Sequence, residues 1–490
     1  VNTYVHERLR TAAVVAVYGL IAIQTVVNSV SGNWFEAGLW AVLLLAPLTV
    51  ILAGKLELLW IAILVGVSTV WTGIPIPYIN RFTPAHIVVI GLAFVFMADT
   101  AVGRRNAVVW RGPAIAFAIV FAVIAARVAF GRPGSARMGE VGGLGEAIQF
   151  VLSGFGFWGA AVCAQRVRDW ASVCRVMTGT AFVALAMESA SFFLGQRQPG
   201  ALIGRLYFLF LVPVWLLCSI LVSWALNRSG QAQERRRLHT GTIREVAALM
   251  VPLLLSATTP HRSRPVFALG IIFGVAWVFG VFWQTARRLV PILAIAMLGL
   301  MWIGGDMIPQ GTKRALSIFT PSLAAELPQG VEVGWRSDFR TTMYHLAWER
   351  VQANPLIGAG FEFKRSELEA MSVSAGLNPA DRGLDPMALV GGFHNAVVEL
   401  AVTCGFPAAA LFVFGLLAIV GRYALTLRKL PPSSEKVFAG SVLGYGVAVI
   451  GQMLMNGGGQ QFFVVCVLAG AMHGMTMVWR ARNSSPAGAK

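Results

Sequence analysis

Charge is scarce in this chain. Of 490 residues, 12% are Asp, Glu, Lys or Arg, and acids are the rarer sign, 22 against 39 bases. A soluble globular protein carries about 25% charged residues. Too little charge is present to cover a water-facing exterior of this size. Cysteine is sparse too. The five are Cys163, Cys174, Cys218, Cys404 and Cys466, all in or beside apolar segments, with no CxxC. That argues against a disulfide framework and against a zinc site. There is no nucleotide-phosphate loop, no GxSxG, no HExxH and no DxD-type carboxylate pair. Each of those motifs carries a specific chemistry, so the candidates that remain are isolated cations and one histidine. No internal repeat or low-complexity tract is visible.

What the chain has in abundance is apolar sequence. It is 57% hydrophobic, with mean hydropathy +0.69, 52 Gly and 15 Trp. These values predict an all-α polytopic membrane protein, with lipid replacing the need for a polar surface. A spanning helix needs about 20 mostly apolar residues, and the chain offers about 12–14 such segments. They include starts near Pro113, Ala147, Asn395, Phe438 and Gln461. The first apolar stretch needs no cleavable signal peptide to explain it, because many similar stretches follow.

The net charge of +17 would suit a nucleic-acid partner, but its distribution does not. The bases cluster between apolar segments: "GRRN" at 103–106, "RVRD" at 166–169, "ERRRLH" at 234–239, "ARR" at 286–288 and "RYALTLRK" at 422–429. Basic loops at every second turn are the positive-inside signal. No nucleic-acid partner is expected. With Arg8 and Arg10 in the cytoplasm, every one of these clusters falls on the cytoplasmic side.

One connector breaks the pattern of short loops. The expected organisation is transmembrane helices with short loops over 1–307, a large extracytoplasmic loop over 308–394, and three transmembrane helices with a cytoplasmic tail over 395–490. A loop this long is functional or disordered. Its eight bases and nine acids leave it nearly neutral, which suits a folded cap. Within it, "SDFRTTMYHLAWERVQANP" spaces Phe339, Met343, Leu346, Ala347 and Val351 as one helical face. Ser337 or Asp338 would cap its start, Pro355 would end it, and "NPLIGAGF" would turn on Gly358 and Gly360.

The candidate chemical residues lie mostly toward the extracytoplasmic side. His394 ends the loop and opens an apolar helix. It reads either as an interfacial histidine that snorkels or caps the helix, or as a base facing a cavity. Asn395 would orient a sugar or help the helix start. Glu399, in the same stretch, is a further substrate-orienting candidate. Arg340 is either a solvated charge on the loop helix or a phosphate ligand, since guanidinium grips phosphate oxygens as a fork. Arg262 and Arg264, in "HRSRP", depart from the positive-inside trend. They are either interfacial or line an anion site. Glu188 lies inside an apolar segment, where a carboxylate is a functional candidate or half of a structural pair. Arg127 and Arg205 stand near the extracytoplasmic ends of their helices, with structural or functional readings open.

From Asp338 to Phe412 the sequence resembles the O-antigen ligase and polymerase family of bacterial envelopes. The family pattern is an Arg at the start of a loop helix, a Pro-(Leu)-(Leu/Ile)-Gly-x-Gly turn, a variable stretch, then His-Asn-x-x-(Leu/Val)-(Glu/Gln)-x-x-x-x-x-Gly. Here these read Arg340, "NPLIGAGF" and "HNAVVELAVTCG". A Ser-Arg pair in the preceding extracytoplasmic loop is matched by Ser263–Arg264. The resemblance extends from about Val246 to the C terminus. It implies a GT-C-like helix bundle in the bacterial inner membrane, acting at the periplasmic face. It implies an inverting, metal-independent glycosyltransferase without a cofactor. The donor would be a glycan on undecaprenyl diphosphate. The acceptor would be lipid A-core for a ligase, or another lipid-linked glycan for a repeat-unit polymerase. His394 would be the catalytic base, and Arg264, Arg340 and Arg262 the donor-diphosphate ligands. A lipid-glycan flippase or transporter is the competing class. It predicts repeated halves and charges at mid-membrane, where only Glu188 stands out.

Overall fold

A computed structural model describes residues 109–130, 143–167, 338–361, 395–431, 434–456 and 459–484, with isolated positions between 274 and 299. Among these residues the fold is helical and contains no strand. Seven helices are defined: α1 Ala114–Phe130, α2 Gly143–Arg166, α3 Asp338–Ala353, α4 Ala396–Cys404, α5 Phe406–Lys429, α6 Ser434–Asn456 and α7 Gly459–Ser484. The chain divides into two compact units. The first contains α1, α2, the 407–426 portion of α5, and α7. The second contains α3, α4, the start and end of α5, and α6.

In the first unit, α7 lies directly against α2. Small residues make that approach possible. A Cβ placed on Gly470 would collide with the Phe157 carbonyl, and one on Gly474 with the Ala161 carbonyl. From the other side, a Cβ on Gly156 would stand 2.8 Å from Val467 Cγ2. Gly470 and Gly474 are four apart and share one face of α7. This small-xxx-small spacing lets helix backbones touch where apolar surroundings give no hydrophobic drive to associate. Aromatic rings fill the remaining space. Phe117 stacks on Phe157 at 4.6 Å, and Phe412 meets Phe117 at 5.3 Å and Phe462 at 4.6 Å.

Among the described residues, two helices are long and apolar enough to cross a membrane. They are Phe406–Lys429, with mean hydropathy 2.0, and Phe462–Arg482 within α7, with mean hydropathy 1.8. They differ in surroundings. The second is almost wholly buried inside the protein, as an all-round apolar helix must be. The first turns Phe414, Leu417 and Leu425 outward, at 73%, 65% and 58% exposure.

The C-terminal region departs from expectation in one respect. A single span was predicted to start near Asn395. Instead, α4 ends at Cys404 and α5 begins at Phe406, with Gly405 between them at φ 92°, ψ 158°. That backbone region is essentially confined to glycine. Pro407 in the first turn of α5 has no N–H to lose there.

Candidate functional site

Three segments of the second unit assemble into one piece: α3, the turn Asn354–Phe361, and α4. Helix α3 starts at Asp338 and stops at Ala353, two residues before Pro355. Proline disfavours helical backbone in the residue before it, which accounts for the stop. Ala347 and Val351 are buried, while Tyr344, Trp348 and Glu349 are exposed. The predicted apolar face is therefore the one that packs at these two positions. Arg340 is the third residue of α3, in its first turn.

The turn that follows has Gly358 at φ 73° and Gly360 at φ 91°, both in the left-handed region that favours glycine. These glycines do more than reverse the chain. Ala359 N–H donates to the Val402 carbonyl at 2.6 Å, and Gly360 N–H donates to the Thr403 carbonyl at 3.1 Å. Both acceptors are in the last turn of α4, whose final carbonyls have no partner within their own helix. The exchange also runs the other way. Phe406 N–H, an orphan donor at the start of α5, donates to the Pro355 carbonyl at 2.9 Å. The contact is too close for side chains. A Cβ on Gly358 would stand 2.5 Å from the Thr403 carbonyl carbon, and one on Gly405 would collide with Leu356. The "NPLIGAGF" turn is thus the C-terminal cap of α4, and the break at Gly405 is what makes room for it.

The other end of α4 is capped by Asn395. Its Oδ1 accepts from Val397 N–H at 3.0 Å and Val398 N–H at 3.2 Å. Of the two uses open to Asn395, starting the helix is the one its Oδ1 performs. The capping use considered for His394 is carried out by its neighbour. Glu399 lies in the first turn of α4 and is 1% exposed. A carboxylate there benefits from the positive end of the helix dipole. Its backbone carbonyl accepts from Thr403 Oγ1 at 2.8 Å, which also satisfies that buried hydroxyl.

Arg127 sits in the last turn of α1, half-buried, in the first unit. His394, Arg262, Arg264, Glu188 and Arg205 lie outside the described residues, and nothing is assigned to their surroundings. The structure thus joins the segment of Arg340 to that of Asn395 and Glu399. The sequence reading did not foresee the carbonyl-by-carbonyl docking of the turn on α4. Two glycines in the turn and a Gly-Phe-Pro break were its only signals.

No protein-family model and no curated protein matches the chain.

Proposed function

We propose that the protein is a polytopic inner-membrane glycosyltransferase of the O-antigen ligase kind. It moves a glycan from undecaprenyl diphosphate to a sugar hydroxyl of lipid A-core at the periplasmic face. The observation that carries this reading is the locking of the "NPLIGAGF" turn onto the helix that follows His394-Asn395. Two sequence elements far apart in the chain, each a mark of that family, share backbone hydrogen bonds. The helix bearing Arg340 runs directly into that turn. A membrane setting is supported by the outward apolar face of α5 and by the recurring basic clusters.

The chemistry asks little of the protein beyond a base and fixed cations. His394 takes the proton from the acceptor hydroxyl. That oxygen attacks the anomeric carbon from the face opposite the diphosphate, forming the new glycosidic bond as the old C–O bond breaks. Undecaprenyl diphosphate leaves with the bonding electrons, and the anomeric configuration inverts. Arg264 and Arg340, with Arg262 beside them, hold the diphosphate and stabilise the charge growing on its oxygens. The proton on His394 passes to water. A positioned base supplies about 10²–10⁴-fold of the acceleration.

The test is reconstitution. Purified protein in liposomes, given undecaprenyl-diphosphate glycan and lipid A-core, is expected to yield glycosylated lipid A-core with inverted anomeric configuration. Elongation of the lipid-linked donor, with none transferred to lipid A-core, would replace the ligase with a polymerase. No transfer to either acceptor by folded protein would remove the enzyme reading.

A further inference from the structure

Within the first unit, the turn before α1, α5 near Arg422 and the last turns of α7 line a half-open cavity of about 190 Å³. A water occupies about 30 Å³ of liquid, so the space is several waters in size. Arg111, Arg422 and Arg480 all line it, together with His473 and Thr476, and no acid is among the described residues that line it. None of these groups has a part in the transfer chemistry.

The cavity is built, with its walls held in place by specific contacts. His473 is 6% exposed, and its Nε2 lies 2.8 Å from the Val109 carbonyl. A carbonyl only accepts, so Nε2 carries the proton and donates. That bond ties the segment leading to Arg111 onto α7. Gly112 follows at φ 59°, a conformation suited to glycine. Arg422 Nη1 lies 2.6 Å from where a Cβ on Gly112 would sit. The missing side chain is what lets this guanidinium lie over the turn. Thr476 Oγ1 donates its proton to the Met472 carbonyl at 2.7 Å, so toward the cavity it offers only lone pairs. The charged donors among the described lining residues are the three guanidiniums.

Arg111, Arg422 and Arg480 are exposed, so solvent moderates their mutual repulsion, but three like charges still converge on one small space. A multiply charged anion relieves that repulsion. Phosphate fits best, since its several oxygens accept guanidinium forks from more than one direction. Arg422 belongs to the 422–429 cluster that the charge pattern assigns to the cytoplasmic side, the leaflet face rich in anionic phospholipid. We propose that this pocket binds a phosphate group, supplied either by an anionic phospholipid headgroup or by free inorganic phosphate.

Full-length protein in phosphatidylcholine nanodiscs provides the baseline. Two arms follow, one adding phosphatidylglycerol to the bilayer and one titrating inorganic phosphate, each read as a saturable rise in the thermal unfolding midpoint. A rise in the first arm alone identifies the headgroup; a rise in the second identifies the free ion. Arg422→Lys keeps the charge but loses the fork, and is expected to weaken the effective arm by about tenfold. Arg111→Lys carries the same expectation if Arg422→Lys does not fold. Arg482→Gln removes a charge from α7 outside the pocket and is expected to leave the response intact. No rise in either arm would overturn the proposal. So would an Arg482→Gln loss as large as that of the pocket variants, which would mean diffuse surface charge.

Discussion

Asn395 shows how a single residue's role is decided by bond geometry. Its side-chain oxygen is used by two N–H groups of α4. Serine can make the same cap, whereas alanine cannot. Asn395→Ala is therefore expected to lose about 1 kcal/mol of stability, typical of a lost N-cap. Asn395→Ser is expected to stay near wild type in both thermal unfolding and transfer rate. A stable Asn395→Ser protein that fails to transfer would give Asn395 a role in substrate orientation instead. The arginines call for a different substitution. If Arg340 and Arg264 grip the diphosphate as forks, lysine at either position keeps the charge and loses the paired hydrogen bonds. Transfer by each lysine variant is expected to fall by at least about tenfold, the effect of one charge-assisted bond. Full activity in both would reduce these residues to general cations.

At the scale of elements, the docking of the turn on α4 is the feature with the largest mechanical consequence. Gly358 and Gly405 face each other's backbone segments with no space for a methyl group, and both sit at positive φ. Gly358→Ala and Gly405→Ala are each expected to cost at least about 1–3 kcal/mol from backbone strain alone. Proteolysis within residues 338–361 should become faster in both. Unchanged protection would show that the turn does not hold α4. Much of this was legible in the sequence. Pro355 marked the end of α3, and Gly358 and Gly360 marked the turn, because each acts through its own backbone. The break at Gly405 was not legible. Residues 400–421 are almost wholly apolar, and one span explains the hydropathy there as well as two helices do. What forces the break is the docked turn, a partner far away in sequence. The Gly470/Gly474 face was missed for a related reason. In a helix whose 462–472 stretch is wholly apolar, composition does not say which face meets a neighbour. Gly470→Leu should overpack the α2 contact and destabilise the protein by about 1–3 kcal/mol. A thermal midpoint equal to wild type would contradict that contact.

For the whole molecule, hydropathy and charge pattern speak to setting, while isolated residues speak to chemistry. The helical content and the two long apolar helices agree with the composition. The proposed catalytic group and two of the three proposed diphosphate ligands fall outside the described residues. Their roles rest on sequence resemblance and on the lock between the two motifs. The most direct measurement is the initial rate of glycan transfer in proteoliposomes containing excess EDTA, for wild type and His394→Ala side by side. Wild type is expected to keep its full rate under chelation, because arginines hold the diphosphate. His394→Ala is expected to fall by about 10²–10⁴-fold while still inserting and accumulating. An undiminished His394→Ala rate, or a wild-type rate lost to EDTA and restored by Mg²⁺, would contradict a histidine-and-arginine transfer mechanism.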